Sequence, residues 1–190
     1  MNPVEFEHHY PDVGTMRLRG LDLPGDANLL HDWVNRDHAR FWGMQGTSLE
    51  DVLDNYRKLQ ESGHAQAYLG WLGDQPAFLL EVYDPGHDIV GQHYPVEPGD
   101  VGMHFLTAPP TRHTPGFTRA VISTILAFLF RHPATQRVVV EPDVRNARIH
   151  PLNRWAGFVY EREIPLPHKQ AHLAFCQRRH FLATQDKGTP

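Results

Sequence analysis

VGMHFLTAPPTRHTPGFTRAV, residues 101–121, reads as a short buried strand, a proline-rich turn with basic residues, and the start of a helix. Met103, Phe105 and Leu106 give the strand its apolar character, and His104 interrupts it. A histidine in that setting is either a packed ring with satisfied nitrogens or a base waiting for a substrate. Thr114 suits an N-cap and Pro115 the first helical position, and Val121, Ile122, Ile125, Leu126 and Leu129 then recur at helical spacing. A helix start offers backbone N–H groups and a positive dipole end to anions. Gly116 lets a ligand approach the backbone, while Arg112, His113 and Arg119 add positive charge. Taken alone, a proline-initiated helix with a solvated basic flank is the commoner meaning of such a stretch.

A second segment, VVVEPDVRNARIHPLNRWAGF (138–158), follows the same plan. Its strand ends in Glu141-Pro142-Asp143, where Pro142 stops sheet pairing and turns the chain outward. Ligands of open sheets gather at that end of a strand. Asp143 alone would be read as a turn or capping aspartate.

Around these segments the chain alternates between the two periods. TMRLRGLDL (15–23) predicts a first strand, and PGDANLLHDWVNRDHARFW (24–42) a helix with Asp26 as N-cap. TSLEDVLDNYRKLQESG (47–63) is the clearest helix, with Ser48 and Asp51 spaced as a capping box and Gly63 at its end. AQAYLGWLG, PAFLLEVYD and DVGMHFLTA predict three strands, the last two separated by the Pro/Gly-rich connection 84–100, whose length suits a substrate-side flap. After the helix that follows Gly116 come the strand QRVVVEPD, a short helix NARIHPLNRW broken near Pro151, and two closing strands, AGFVYEREI and QAHLAFCQ. The order β-α-α-β-β-β-α-β-α-β-β predicts an α+β fold: one mixed, mostly antiparallel sheet with helices on both faces. A single domain over 1–190 is expected, with 1–14 and 183–190 as loose ends.

Composition excludes several classes. The 190 residues carry a formal net charge of -4, with 41% hydrophobic and 21% charged residues, which argues against a nucleic-acid footprint. The single cysteine, Cys176, allows no internal disulfide. The longest apolar run, AVISTILAFLF, is too short for a bilayer, and the N-terminus lacks a signal-peptide pattern, so a cytoplasmic protein without membrane or nucleic-acid partners is expected. His168, His172 and Cys176 have helical ligand spacing, but QAHLAFCQ alternates as a strand, which removes the meaning of that spacing; no metal is expected.

Taken together, the element order, the strand–loop–helix at 101–121 and the phrases HDWVNRDHARFWGM, FLLEVY, GMHFL, EPDVRN, AGF and HKQAHLAFCQRRHF resemble the GNAT acyl-CoA-dependent N-acyltransferases. Within them the sequence is similar to the siderophore-biosynthesis branch, which acylates hydroxylamines such as N6-hydroxylysine, N-hydroxycadaverine or N-hydroxyputrescine. The resemblance runs from about Thr15 to Phe181. It implies a sheet splayed at the acyl-CoA site and an enzyme forming a hydroxamate, with N-hydroxycadaverine as the first choice of acceptor. Acetyl-CoA or succinyl-CoA would be the donor, and the protein a monomer or homodimer. It also implies His104 as base with Asp143 as its orienting partner, or the reverse. Phe105, Leu106, Arg112, Thr114, Gly116, Phe117, Thr118, Arg119 and Asn146 would hold the acyl-CoA, and Trp42, Gln45, Glu81 and Tyr83 the acceptor. The alternatives are an acetyltransferase for an ordinary primary amine and a non-catalytic acyl-CoA-binding module.

Two departures from the family pattern matter. The usual pyrophosphate loop Q/R-x-x-G-x-G/A here reads His113-Thr114-Pro115-Gly116-Phe117-Thr118, so the central glycine is kept and Pro115 removes one N–H donor. The tyrosine acid that many members carry seven residues after the asparagine is here Asn153, counted from Asn146. A hydroxylamine suits such a site, because it loses its proton to a modest base and its neutral nitrogen is a good nucleophile.

Overall fold

The computed structural model describes residues 2–23, 25–109 and 114–185. Eight strands and five α-helices follow in the order β1 (Val4–Tyr10), β2 (Gly14–Gly20), α1 (Ala27–Val34), α2 (Leu49–Glu61), β3 (Ala65–Leu72), β4 (Gln75–Tyr83), β5 (Asp100–Thr107), α3 (Phe117–Phe130), β6 (Arg137–Val140), α4 (Ile149–Trp155), β7 (Val159–Leu166), β8 (Lys169–Gln177) and α5 (Arg178–Gln185). The strands form one mixed sheet in the order β1-β2-β3-β4-β5-β6-β8-β7. The expected α+β architecture is therefore present, with β1 and α5 added at its ends. Residues 186–190 of the expected loose C-terminal end lie outside the described residues.

The chain divides into two compact units. The first comprises Met1–Glu81 and Phe105–Pro115. Its core joins Leu30, Val34, Val52 and Tyr56 of the helices to Leu69, Leu79 and Leu106 of the strands, all buried. The capping box of α2 forms as its spacing requires: Ser48 Oγ accepts from the Asp51 N–H, and the Asp51 carboxylate accepts from the Ser48 N–H. Asp26 stands at the N-cap of α1 but makes no side-chain cap bond. Its carboxylate is instead taken by both guanidinium nitrogens of buried Arg19, each at 2.7 Å, and by the Asp22 N–H. The ion pair outcompetes the cap because two charge-assisted bonds hold the two terminal nitrogens of a buried guanidinium. β1 lies in a stretch for which the hydrophobic pattern predicts no element; it is an edge strand paired antiparallel with β2 and is exposed along most of its length.

The second unit comprises Val82–His104 and Gly116–Pro190. β5 and β6 run parallel, with Asp100, Val101 and Gly102 opposite Arg137, Val138 and Val139; β6 pairs antiparallel with β8, and β8 with β7. Helix α3 is buried on nearly every side from Ala120 to Phe130, so its apolar residues form more than one stripe. Arg178 accounts for its C-terminal end, donating to the carbonyls of Phe130, His132 and Thr135. The connection 84–99, expected as a substrate-side flap, is packed against its own unit. Two short 3-10 turns bury Val90, and the ring of buried Tyr94 meets Phe175 edge-on while Arg137 stacks over it. Among the described residues no helix is long and apolar enough to cross a membrane.

Two helix boundaries differ from expectation. Helix α3 begins two residues later than the proline indicated: Gly116, in the left-handed region at φ 76°, is its N-cap, and Phe117 opens the helix. Helix α4 is not broken by Pro151, which sits in its first turn, where a backbone N–H has no helical acceptor to lose.

Candidate active site

The parallel register of β5 and β6 builds the centre of the site. Gly102 lies opposite Val139, and side chains two residues further along each strand project from the same face. That places His104 beside Glu141. The imidazole Nε2 and Glu141 Oε1 are 2.5 Å apart, with the His104 side chain about one-third exposed at 36% and Glu141 buried at 5%. The other carboxylate oxygen of Glu141 accepts from the Tyr83 hydroxyl at 2.9 Å, and Lys169 Nζ approaches Oε1 at 3.4 Å. Tyr83 also packs its ring against the imidazole, with centroids 5.0 Å apart.

Burial by itself would push the Glu141 carboxyl up, but the His104 imidazole, the Lys169 ammonium and the Tyr83 hydroxyl outweigh it and hold it at about 2. Glu141 is therefore an ionised carboxylate that only accepts. The proton on the shared bond then belongs to His104 Nε2, so that whenever the ring is neutral its lone pair is on Nδ1. Burial drives the Tyr83 phenol well above its usual range, so it stays a hydroxyl donor. The arrangement can orient an imidazole, fix its tautomer and stabilise the imidazolium formed when it takes a proton.

Asp143, expected to orient His104, is not the carboxylate on its Nε2. Its two oxygens are held by Arg145, at 2.9 Å from Nε and 2.6 Å from the terminal nitrogen, and the Arg145 N–H adds a third bond. Those bonds keep its carboxyl below the usual range, burial notwithstanding. The reason is the pleat: Glu141 continues the face of Val139, whereas Pro142 turns the chain before Asp143, which forms an isolated bridge with Ala171 of β8. Glu141 was missed because the register of β5 against β6 is a tertiary fact. The sequence signal was a charged residue directly after three buried valines.

The residues expected to hold acyl-CoA are distributed as follows. Thr114, Phe117 and Asn146 are half-buried, while Gly116, Thr118 and Arg119 are exposed; Arg112 lies outside the described residues. The first turn of α3 contains no acidic residue, so its N–H groups face no competing carboxylate on that helix. Arg119 lies over the Trp155 ring, 5.0 Å from its centroid. Phe105 is half-buried, and the Leu106 side chain belongs to the core of the first unit. Asn153, at the tyrosine position of the family pattern, is buried and donates to the Tyr160 hydroxyl at 3.2 Å; that hydroxyl is also 3.0 Å from His150 Nδ1. A phenol thus reaches this position from β7 instead of from α4.

Of the acceptor-side candidates, Tyr83 belongs to the His104–Glu141 centre. In the first unit, Glu81 is half-buried near Tyr56, whose phenol is pushed well above its usual range by burial and then by the Glu81 charge. Trp42 is partly buried against the core of that unit, and Gln45 is exposed, donating to the Arg36 carbonyl.

Comparison with known proteins agrees with this fold. The chain is 28% identical over 179 residues to an N(6)-hydroxylysine O-acetyltransferase of Escherichia coli, covering 93% of this chain and 57% of that protein. It is 27% identical over 181 residues to an N-hydroxyputrescine acetyltransferase of Acinetobacter baumannii, covering 95% and 85%. It is 32% identical over 156 residues to an N(5)-hydroxyornithine:cis-anhydromevalonyl coenzyme A-N(5)-transacylase of Beauveria bassiana, covering 81% and 34%. The chain thus spans little more than half of the first of these proteins and about a third of the last. Among solved structures, an uncharacterized protein of Bacillus halodurans superposes with a TM-score of 0.90 at 25% identity, over 96% of this chain and 94% of that one. The aminoglycoside acetyltransferase AAC(6')-Ib in complex with coenzyme A shares the fold, with a TM-score of 0.79 at 22% identity over 90% of this chain and 99% of that one. The acetyltransferase (GNAT) domain family matches residues 22–166, and with its sheet order, its helix start at Gly116 and its oriented imidazole the chain belongs to that family.

Proposed function

We propose that the protein is an acyl-CoA-dependent N-acyltransferase acting on the hydroxylamine nitrogen of an N-hydroxylated diamine or amino acid, and that it forms a hydroxamate for siderophore biosynthesis. N-hydroxycadaverine is the acceptor we favour, with acetyl-CoA or succinyl-CoA as donor. The observation that carries the reading is the 2.5 Å contact between His104 Nε2 and the buried, ionised Glu141.

In this reaction His104 Nδ1 takes the proton of the hydroxylamine nitrogen as that nitrogen forms a bond to the thioester carbonyl carbon. The C–S bond then breaks, the thiolate leaves with a proton returned to it, and the acyl group stays on nitrogen. Glu141 holds the ring and offsets the charge of the imidazolium. In this reading Asp143, held by Arg145 at the end of β6, accepts from the N–OH group. The donor's phosphates would meet the N–H groups of Phe117, Thr118 and Arg119, with Gly116 leaving room for close approach.

The names of the relatives favour a hydroxylated acceptor, since they include hydroxylysine, hydroxyputrescine and hydroxyornithine enzymes. The test is the product. Incubated with N-hydroxycadaverine and acetyl- or succinyl-CoA, the protein should give a compound that forms a coloured ferric complex, as hydroxamates do. A product acylated on oxygen gives no such complex, and its formation would refute the reading.

A further inference from the structure

The carboxylate that orients His104 serves a second cation. Glu141 Oε1 receives His104 Nε2 at 2.5 Å and Lys169 Nζ at 3.4 Å, while Oε2 is taken by Tyr83. Lys169 is the first residue of β8 and lies opposite Leu166 of β7, so a hairpin of two residues, Pro167 and His168, fixes its position. Its side chain is 25% exposed and thus three-quarters withdrawn from water, beside a carboxylate that is 5% exposed. A lysine in that place is not a solvated surface charge.

The electrostatic consequence follows from counting charges. A buried carboxylate strongly favours a cation beside it, and an imidazole held at 2.5 Å is the nearest group able to become one. A permanently charged histidine could not accept a proton from a substrate. Lys169 supplies the compensating charge to the same oxygen and repels a second positive charge on the ring. Among the described residues, Tyr83 from β4 meets the ring as a neutral phenol, with Asp88 acting on that phenol. Arg145 is committed to Asp143.

We propose that Lys169 is a positioning residue that neutralises Glu141 and so keeps His104 uncharged and able to accept a proton. This rests on the reading of His104 as the base, and the experiment separates the two claims. The 190-residue protein, its Lys169→Gln variant and its Lys169→Arg variant are compared by NMR titration of the His104 imidazole and by the pH profile of kcat/KM with N-hydroxycadaverine; Lys169→Met keeps the side-chain length should the glutamine variant fold poorly. Loss of the ammonium should move the His104 midpoint and the acidic limb of the profile upward together by about one pH unit. Activity should then fall roughly tenfold on the acidic side and approach the parent's once the ring is neutral, about a unit or two higher. The arginine variant, which keeps the charge, should titrate near the parent. A His104 midpoint unmoved in Lys169→Gln overturns the proposal, as does an effect confined to the KM of succinyl-CoA. A midpoint that moves while the rate profile stays still supports the role of Lys169 and instead removes His104 as the base.

Discussion

Gly102 and Tyr83 fit together because one of them has no side chain: a Cβ on Gly102 would lie 2.1 Å from the Tyr83 ring. The ring crosses the strand at that point, reaches the imidazole of His104 and delivers its hydroxyl to Glu141. The glycine of GMHF is therefore part of the site. Gly102→Ala should displace Tyr83, reduce stability by about 1–3 kcal/mol and lower kcat/KM by roughly an order of magnitude or more. Thermal unfolding and steady-state kinetics check both effects, and unchanged values would show that the ring's placement has no catalytic consequence.

Removing the imidazole separates chemistry from packing. His104→Ala should fold, lose roughly 10²–10⁴-fold in kcat as expected of a general base, and leave the affinity for acyl-CoA nearly unchanged. A variant that unfolds yet keeps its specific activity in the folded fraction would make His104 a packing residue.

Glu141→Gln keeps shape and removes charge. Without a carboxylate on Nε2 the ring is free to carry its proton on Nδ1, the wrong nitrogen, and kcat should fall by about two orders of magnitude or more. The same substitution tests a stability claim. The Glu141 carboxyl is depressed from 4.5 to about 2 on folding, so its stabilising contribution is complete above about 4.5 and is lost as pH falls toward about 2. Urea unfolding across that interval should show the parent losing stability faster than Glu141→Gln. Parallel curves would contradict the ionised, stabilised state of Glu141.

The helix start makes a separate prediction. Gly116 sits at φ 76°, which costs a residue with a side chain roughly 1 kcal/mol. Gly116→Ala should raise the KM for acyl-CoA several-fold while changing the pH profile little, measured by thiol release at varied donor. An unchanged KM would move the phosphates away from the N-terminus of α3.

Much of the fold was legible because its elements announce themselves locally. The Ser48–Asp51 box, the alternation of QAHLAFCQ and the apolar run after Phe117 depend on neighbours within a turn or two. The misreadings share a cause: a nearby residue with a strong preference was overruled by a distant one. Asp26 gives up its cap to Arg19, and Glu141 displaces Asp143 because a parallel register places it across from His104. Pro115 marked the end of the loop, but the left-handed Gly116 decides where the helix opens. β1 escaped because an exposed edge strand has too few buried residues to show a period. His104 itself was legible as a polar residue inside an apolar strand. Its partner was not, since 37 positions separate them.

On the proposed reading, an imidazole oriented by a buried carboxylate takes the proton of a nitrogen already easy to deprotonate, and that nitrogen receives the acyl group from the thioester. Its most direct test is the ratio of kcat/KM for N-hydroxycadaverine to that for cadaverine, followed by release of free thiol from acetyl- or succinyl-CoA. A preference of at least about a hundredfold for the hydroxylated acceptor is expected; equal turnover of the two would contradict a site built for a hydroxylamine.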